Sequence, residues 1–153
     1  MERPSVRSYR IRGSRITDAQ REAKTALQAV HGIEFKQELI DLKAIFPRSE
    51  KVIMEIGFGM GEATAIIAKN HPNNGYIAVD VHPPGIGKLL ARIVENELTN
   101  LKIIEDDVHV VLQHMIVDES LDGIHLYFPD PWPKKKHNKR RIVNEGFLQL
   151  IHP

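Results

Sequence analysis

From residue 51 onward, short apolar runs alternate with stretches in which apolar residues recur every three or four positions. The compact runs predict strands over 51–56, 76–81, 101–104 and 124–128. Between them the longer spacing predicts helices over 63–69, 86–98, with Leu89, Leu90 and Ile93 inward, and 108–115; a last helix over 144–151 begins at Asn144. Strands separated by helices imply a parallel α/β sheet with right-handed crossovers. Ahead of residue 48 the pattern is helical only. Thr17-Asp18-Ala19-Gln20 has the spacing of a capping box, and Ala23, Ala26, Leu27 and Val30 follow it, predicting a helix over 18–30. Phe35, Leu39, Leu42 and Phe46 predict a second amphipathic helix, stopped by Pro47. The chain therefore divides into a basic arm at 1–16, N-terminal helices at 17–47 and an α/β domain at 48–153.

With 153 residues and 42% apolar content, the chain can enclose one globular core. It has no cysteine, which excludes disulfides, thiolate metal sites and a cysteine nucleophile, and fits a reducing cytoplasm. No apolar run is long enough to span a bilayer. The net charge of +1 conceals a separation. Residues 1–21 carry six arginines against two acids, and residues 134–141 carry six Lys/Arg and no acid, so the remainder is strongly acidic. Basic segments on an acidic body point to a localised surface for a polyanion.

The candidate chemistry begins where the first strand ends. Glu55-Ile56-Gly57-Phe58-Gly59-Met60-Gly61 places three glycines at alternate positions, letting a small molecule approach the backbone. A dinucleotide fingerprint would need glycine at the sixth position; counting from Gly57 or Gly59 that position holds Glu62 or Thr64. Glu55 also faces a phosphate badly. A carboxylate there suits instead the cationic amino-acid portion of S-adenosylmethionine. Asp80, at the end of the second strand, is placed to accept from ribose hydroxyls. Asp107, after the third, is placed to accept from an adenine amine, with Val108 as an apolar neighbour. With Asp130 after the fourth strand, four acids are expected in register along one edge of the sheet. For any one of them the plain alternative is a helix cap.

Residues 127–141 join a stiff turn to the basic run. Pro129, Pro131 and Pro133 each fix φ, presenting Asp130 and Trp132 at low entropic cost. Trp132 is a candidate stacking platform for a base or, equally, a core residue beneath the turn. Lys134, Lys135, Lys136, Lys139, Arg140 and Arg141 are candidate phosphate contacts. His82, His109, His114, His125 and His137 share no metal-like spacing, so they are expected to be structural or surface groups and no metal is assigned.

Together, Arg15 to Gln20, Glu55 to Gly61, Asp80 to Gly87, Asp107 and Phe128 to Val143 resemble the bacterial tRNA (guanine-N7)-methyltransferase family. Phe128-Pro129-Asp130-Pro131-Trp132-Pro133-Lys134-Lys135 is the family-specific part; the glycine turn alone would name only a superfamily. The resemblance implies a Rossmann-like class I S-adenosylmethionine-dependent methyltransferase, with helices on both faces of a parallel sheet. It implies transfer of the cofactor's methyl group to N7 of a variable-loop guanine in tRNA. Cofactor contacts carry over to Glu55, Asp80, Asp107 and Asp130, with Asp130 also catalytic and Lys134 a substrate contact. Asp80 stands where the family usually has Glu, Val108 replaces a common Ala, and Asn138 falls where His is frequent. The family also continues for several strands and a further substrate motif past the equivalent of Pro153, so a sheet cut after about four strands is expected, with the fourth as an apolar edge. As a whole, the protein is expected to act on tRNA in the cytoplasm as a monomer or homodimer without an obligate partner subunit. Three other readings compete: an adenine-N6 methyltransferase, a catalytically silent RNA-binding fragment and a dehydrogenase, the last disfavoured by the glycine spacing.

Overall fold

The computed structural model describes residues 17–126. In chain order these form α1 (Asp18–His31), α2 (Leu42–Ile45), β1 (Lys51–Ile56), α3 (Glu62–Asn70), β2 (Asn74–Asp80), α4 (Pro83–Glu95), β3 (Leu101–Glu105), α5 (Val108–His114) and β4 (Gly123–Leu126). The expected basic arm at 1–16, the end of the fourth strand at 127–128, the turn and basic run through 141 and the helix over 144–151 lie outside the described residues.

All strand pairs are parallel, in the order β3-β2-β1-β4. Two steps run outward from β1 on one side, and the third returns past β1 to the other. With crossovers of constant hand, that reversal puts α5 on the opposite face from α3 and α4. The strand alternation matches this division. Met54, Ile56, Ile77, Val79 and Ile104 pack with Leu42, Phe46 and α5, whereas Tyr76, Ala78, Leu101 and Ile103 pack with α3 and α4. Met54, Ile77 and Ile104 are wholly buried, each contributing about 1.5–3 kcal/mol by removal from water. Asn100 ties the layers at the opposite end, where its Nδ2 donates among the carbonyls of Ala68, His71 and Asn74 at 2.9–3.1 Å. The Ala68 carbonyl is one of those that the end of α3 would otherwise leave unsatisfied.

Two expectations are corrected. The 35–46 segment is not one amphipathic helix. Only Leu42–Ile45 is helical, capped by Asp41, which accepts from the amides of Lys43 and Ala44. The residues before it run as a strap, with Ile33 N–H donating to Ile103 O and Ile40 N–H to Met115 O. Phe35 packs edge-on against His114, while Leu39 stands 58% exposed, so the apolar spacing is filled without a common helical face. Secondly, α4 begins at Pro83, three residues earlier than expected, because proline is tolerated in the first turn, where its missing N–H costs nothing.

Residues 32–33 bridge alongside β3, covering part of that sheet edge. At the other edge β4 pairs only with β1 among the described residues, and Leu126 is exposed. Lys24 and Gln28 of α1 reach Glu105 at the end of β3, at 2.9 and 2.5 Å.

Candidate functional site

Because the strands are parallel and doubly wound from β1, their C-terminal ends open a crevice between β1 and its two neighbours. The polypeptide leaving β1 there is shaped by glycine. Gly57, Gly59 and Gly61 all have φ near +60 to +78°, a region that other residues adopt only at a cost. Gly57 N–H donates to Val79 O, and Gly61 begins α3. A Cβ on Gly61 would strike Leu89 of α4 at 2.7 Å, and Arg92 of α4 donates its Nε–H to Met60 O. The turn is thus clamped onto α4 from below. At Gly59 a Cβ would meet nothing within 4 Å, so the turn is open there.

Asp80 supplies the anchor. Its Oδ2 accepts from Gly59 N–H at 3.2 Å and its Oδ1 from Val81 N–H at 2.7 Å. Burial pushes its pKa above the ordinary carboxylate value, and the backbone donors of Val81, Gly59 and His82 offset only part of that. A carboxylate accepts about four hydrogen bonds, so this anchoring leaves capacity for ribose hydroxyls.

Glu55 does not stand level with Asp80. In the ladder it is opposite Ala78 on one side and His125 on the other, whereas Asp80 is opposite Glu105. The offset of two residues places Glu55 about 7 Å deeper along the strand direction, where it is fully buried. The acids therefore descend in a step, and the expected level row is corrected. Alternation keeps Glu55, Asp80, Glu105 and His125 on the same face of the sheet, the face of α3 and α4. His125 Nδ1 lies 3.7 Å from Glu55 Oε1.

Asp107 realises the helix-cap alternative. It precedes α5, and its Oδ1 accepts from His109 N–H at 2.8 Å and lies 2.9 Å from His109 Nδ1. Val108 beside it is buried. Capping and ligand contact are compatible, for the reason given for Asp80. Asp106 Oδ1 accepts from Asp107 N–H at 2.7 Å, and Glu105 is held by Lys24 and Gln28, so three successive acids are each fastened to a different partner.

The structure thus places Glu55, Gly57, Gly59, Gly61, Asp80 and Asp107 in or just after the C-terminal ends of β1, β2 and β3, with Glu55 buried below the others. Asp130, Trp132, Lys134, Lys135, Lys136, Lys139, Arg140 and Arg141 lie outside the described residues. Sequence reasoning missed Glu105, Lys24, Gln28 and Arg92. It also treated His109 and His125 as structural or surface groups, yet each stands against a site acid. A weak signal existed for His109, two positions after Asp107, the position whose backbone N–H a capping acid accepts from. No helix among the described residues is long and apolar enough to cross a membrane.

Comparison with known proteins gives the same region a family. A family model described as "Putative methyltransferase" matches residues 49–153. A tRNA (guanine-N(7)-)-methyltransferase of Nitrosomonas eutropha is 51% identical over 148 residues, covering 97% of this chain and 66% of that protein. One of Nitrosospira multiformis is 49% identical, covering 95% of this chain and 64% of that one. One of Chromobacterium violaceum is 46% identical, covering 99% and 69%. The chain thus spans about two thirds of the length of these relatives. Among solved structures, an antibiotic-resistance methyltransferase superposes with TM-score 0.58 at 18% identity, covering 78% of this chain and 55% of that one, a likeness of fold.

Proposed function

This chain belongs to the tRNA (guanine-N7)-methyltransferase family, and from that premise we propose that the whole protein methylates N7 of a variable-loop guanine in tRNA, using S-adenosylmethionine. The observation that carries the reading in the structure is the open glycine turn anchored by Asp80 over a buried Glu55. Such a turn gives a ligand both backbone and carboxylates, and carboxylates face a pyrophosphate badly.

The residues present fit that cofactor. Its electrophilic methyl, carried on a sulfonium, is the chemistry it supplies when bound. Glu55 is the carboxylate for the cationic amino-acid portion, Gly57, Gly59 and Gly61 allow close backbone approach, Asp80 accepts from the ribose and Asp107 from the adenine amine. Asp130 completes the cofactor contacts and is the catalytic residue. Guanine N7 has a lone pair and no proton, so no general base is required. Alignment is what the protein must provide, and positioning of that kind can supply about 7–11 kcal/mol of barrier lowering. As positive charge spreads onto the purine, an ionised Asp130 stabilises it. Trp132 offers a face for the base, and Lys134, Lys135, Lys136, Lys139, Arg140 and Arg141 hold phosphates. The protein acts in the cytoplasm on tRNA, with no obligate partner subunit.

The test is direct. Full-length protein is incubated with unmodified tRNA and methyl-labelled cofactor, and the product is cleaved at 7-methylguanine by reduction and aniline. Scission at a variable-loop guanine is expected; label elsewhere, or on adenine, would replace the reading with another methyltransferase.

A further inference from the structure

We infer that His109 is a positioning residue that sets the preference for adenine by fixing the carboxylate of Asp107. The inference rests on the reading of Asp107 as the adenine acceptor and deepens it. Two donors of one residue converge on Asp107 Oδ1: the His109 amide at 2.8 Å and, with its proton on the near nitrogen, the His109 ring at 2.9 Å from Nδ1. An amide alone leaves a carboxylate able to turn about its last torsion, which is broad and roughly two-fold. A second donor from a different direction removes that freedom, and with Oδ1 held, the direction of Oδ2 is fixed as well.

The ring is itself restrained. His109 lies in α5, whose Val108, Val111 and Leu112 are buried in the core on that face, and its Nε2 is buried. From the other side, Asp106 Oδ1 accepts from the Asp107 amide, and Lys24 and Gln28 hold Glu105 two residues earlier. The segment 105–109 therefore has little freedom except at the Asp107 carboxylate, and His109 removes it there. An acceptor fixed in direction distinguishes an exocyclic amine, which donates, from a carbonyl at the same ring position, which repels it. A carboxylate free to rotate away tolerates either.

The experiment compares S-adenosylhomocysteine with S-inosylhomocysteine, in which a carbonyl replaces the amine, by calorimetric titration of the full-length protein. The parent is expected to prefer the adenine form by about tenfold or more, as a hydrogen bond to a charged acceptor implies. His109→Ala should lower that ratio several-fold. His109→Asn, whose amide can donate from nearly the same place, should restore it. Equal loss in both variants, or an unchanged ratio in His109→Ala, would overturn the role of His109. A parent that binds both ligands alike would overturn the Asp107 assignment first and this inference with it. A readout independent of substitution is the nitrogen-15 spectrum of the parent's imidazole. A proton on Nδ1 is expected, and a ring protonated on Nε2 alone would also refute the inference.

Discussion

Gly85 in the first turn of α4 lies so close to the carbonyl oxygen of Gly59 that a Cβ on it would come within 2.0 Å of that oxygen. The helix after β2 and the turn after β1 are thereby in backbone contact, and Asp80, between them in sequence, accepts from the turn's Gly59. The site is built by packing two segments to a distance that only glycine permits.

Gly85→Ala should therefore be strongly disruptive, because the atom it meets is backbone and cannot turn aside. Overpacking of this kind costs about 1–3 kcal/mol, more than the roughly 1 kcal/mol that alanine gains over glycine in a helix. Two positions along the same helix, a Cβ at Gly87 would meet nothing within 4 Å. Gly87→Ala should raise stability by about 0.5–1 kcal/mol. Thermal unfolding of the pair decides the matter: shifts of the same sign would show that the contact between Gly59 and Gly85 is not tight.

Asp80 should leave a signature in the pH dependence of stability. Burial raises its folded pKa above the ordinary value, so the folded protein takes up this proton at a higher pH than the unfolded chain does. Its contribution is complete below the unfolded value of 3.8 and is lost as the pH rises through the folded value. Asn has no proton to lose. The stability of Asp80→Asn relative to the parent should therefore improve between about pH 3.5 and pH 7, while affinity for S-adenosylhomocysteine falls. Urea midpoints at the two pH values test this; a constant gap, or one that widens against the variant, contradicts it.

The link between α1 and β3 was not legible in the sequence, and the reason is physical. Lys24 and Gln28 sit one helical turn apart on α1, but their partner Glu105 is 81 and 77 residues away, and no local periodicity encodes such a meeting. By contrast Lys51–Ile56 is the strand that its apolar run announces, since both faces of β1 are covered. Asp80 was legible for a related reason: a polar residue ending an apolar run marks the end of a strand, and Glu55 and Asp107 lie within two residues of such an end. The depth of Glu55 was not, because its offset from Asp80 depends on the register between β1 and β2. The failed helix at 35–46 shows the reverse error, in which apolar spacing suits a helix but is used by a strap bonded to Ile103 and Met115.

A double-mutant cycle on Lys24→Met and Glu105→Gln measures that long-range link. The side chains are 14% and 28% exposed and 2.9 Å apart. A coupling of about 1 kcal/mol is expected, at the upper end for exposed pairs because this one is partly shielded. Values below about 0.3 kcal/mol, within the usual additivity error, would mean that the Lys24–Glu105 pair adds nothing to the hold that the packing of Leu27 and the bond from Gln28 already have on α1.

Glu55→Gln should separate stability from function. A fully buried carboxylate is costly to keep out of water, and its ion-pair neighbour His125 is 43% exposed at 3.7 Å. Removing one member of a buried pair is normally destabilising because it strands the other's charge; here the neighbouring imidazole is 43% exposed, so water remains in reach of it when the carboxylate is gone. The glutamine has nearly the same volume and leaves the packing under the turn intact. Unfolding free energy of the ligand-free full-length protein at neutral pH should thus be unchanged or higher. Affinity for S-adenosylmethionine should fall by about tenfold or more, as expected for a lost charge-assisted hydrogen bond. Equilibrium unfolding and calorimetry on one preparation read both. A variant that loses stability and affinity together would make Glu55 a structural group, and the cofactor's amino-acid portion would have to be placed elsewhere on the crevice.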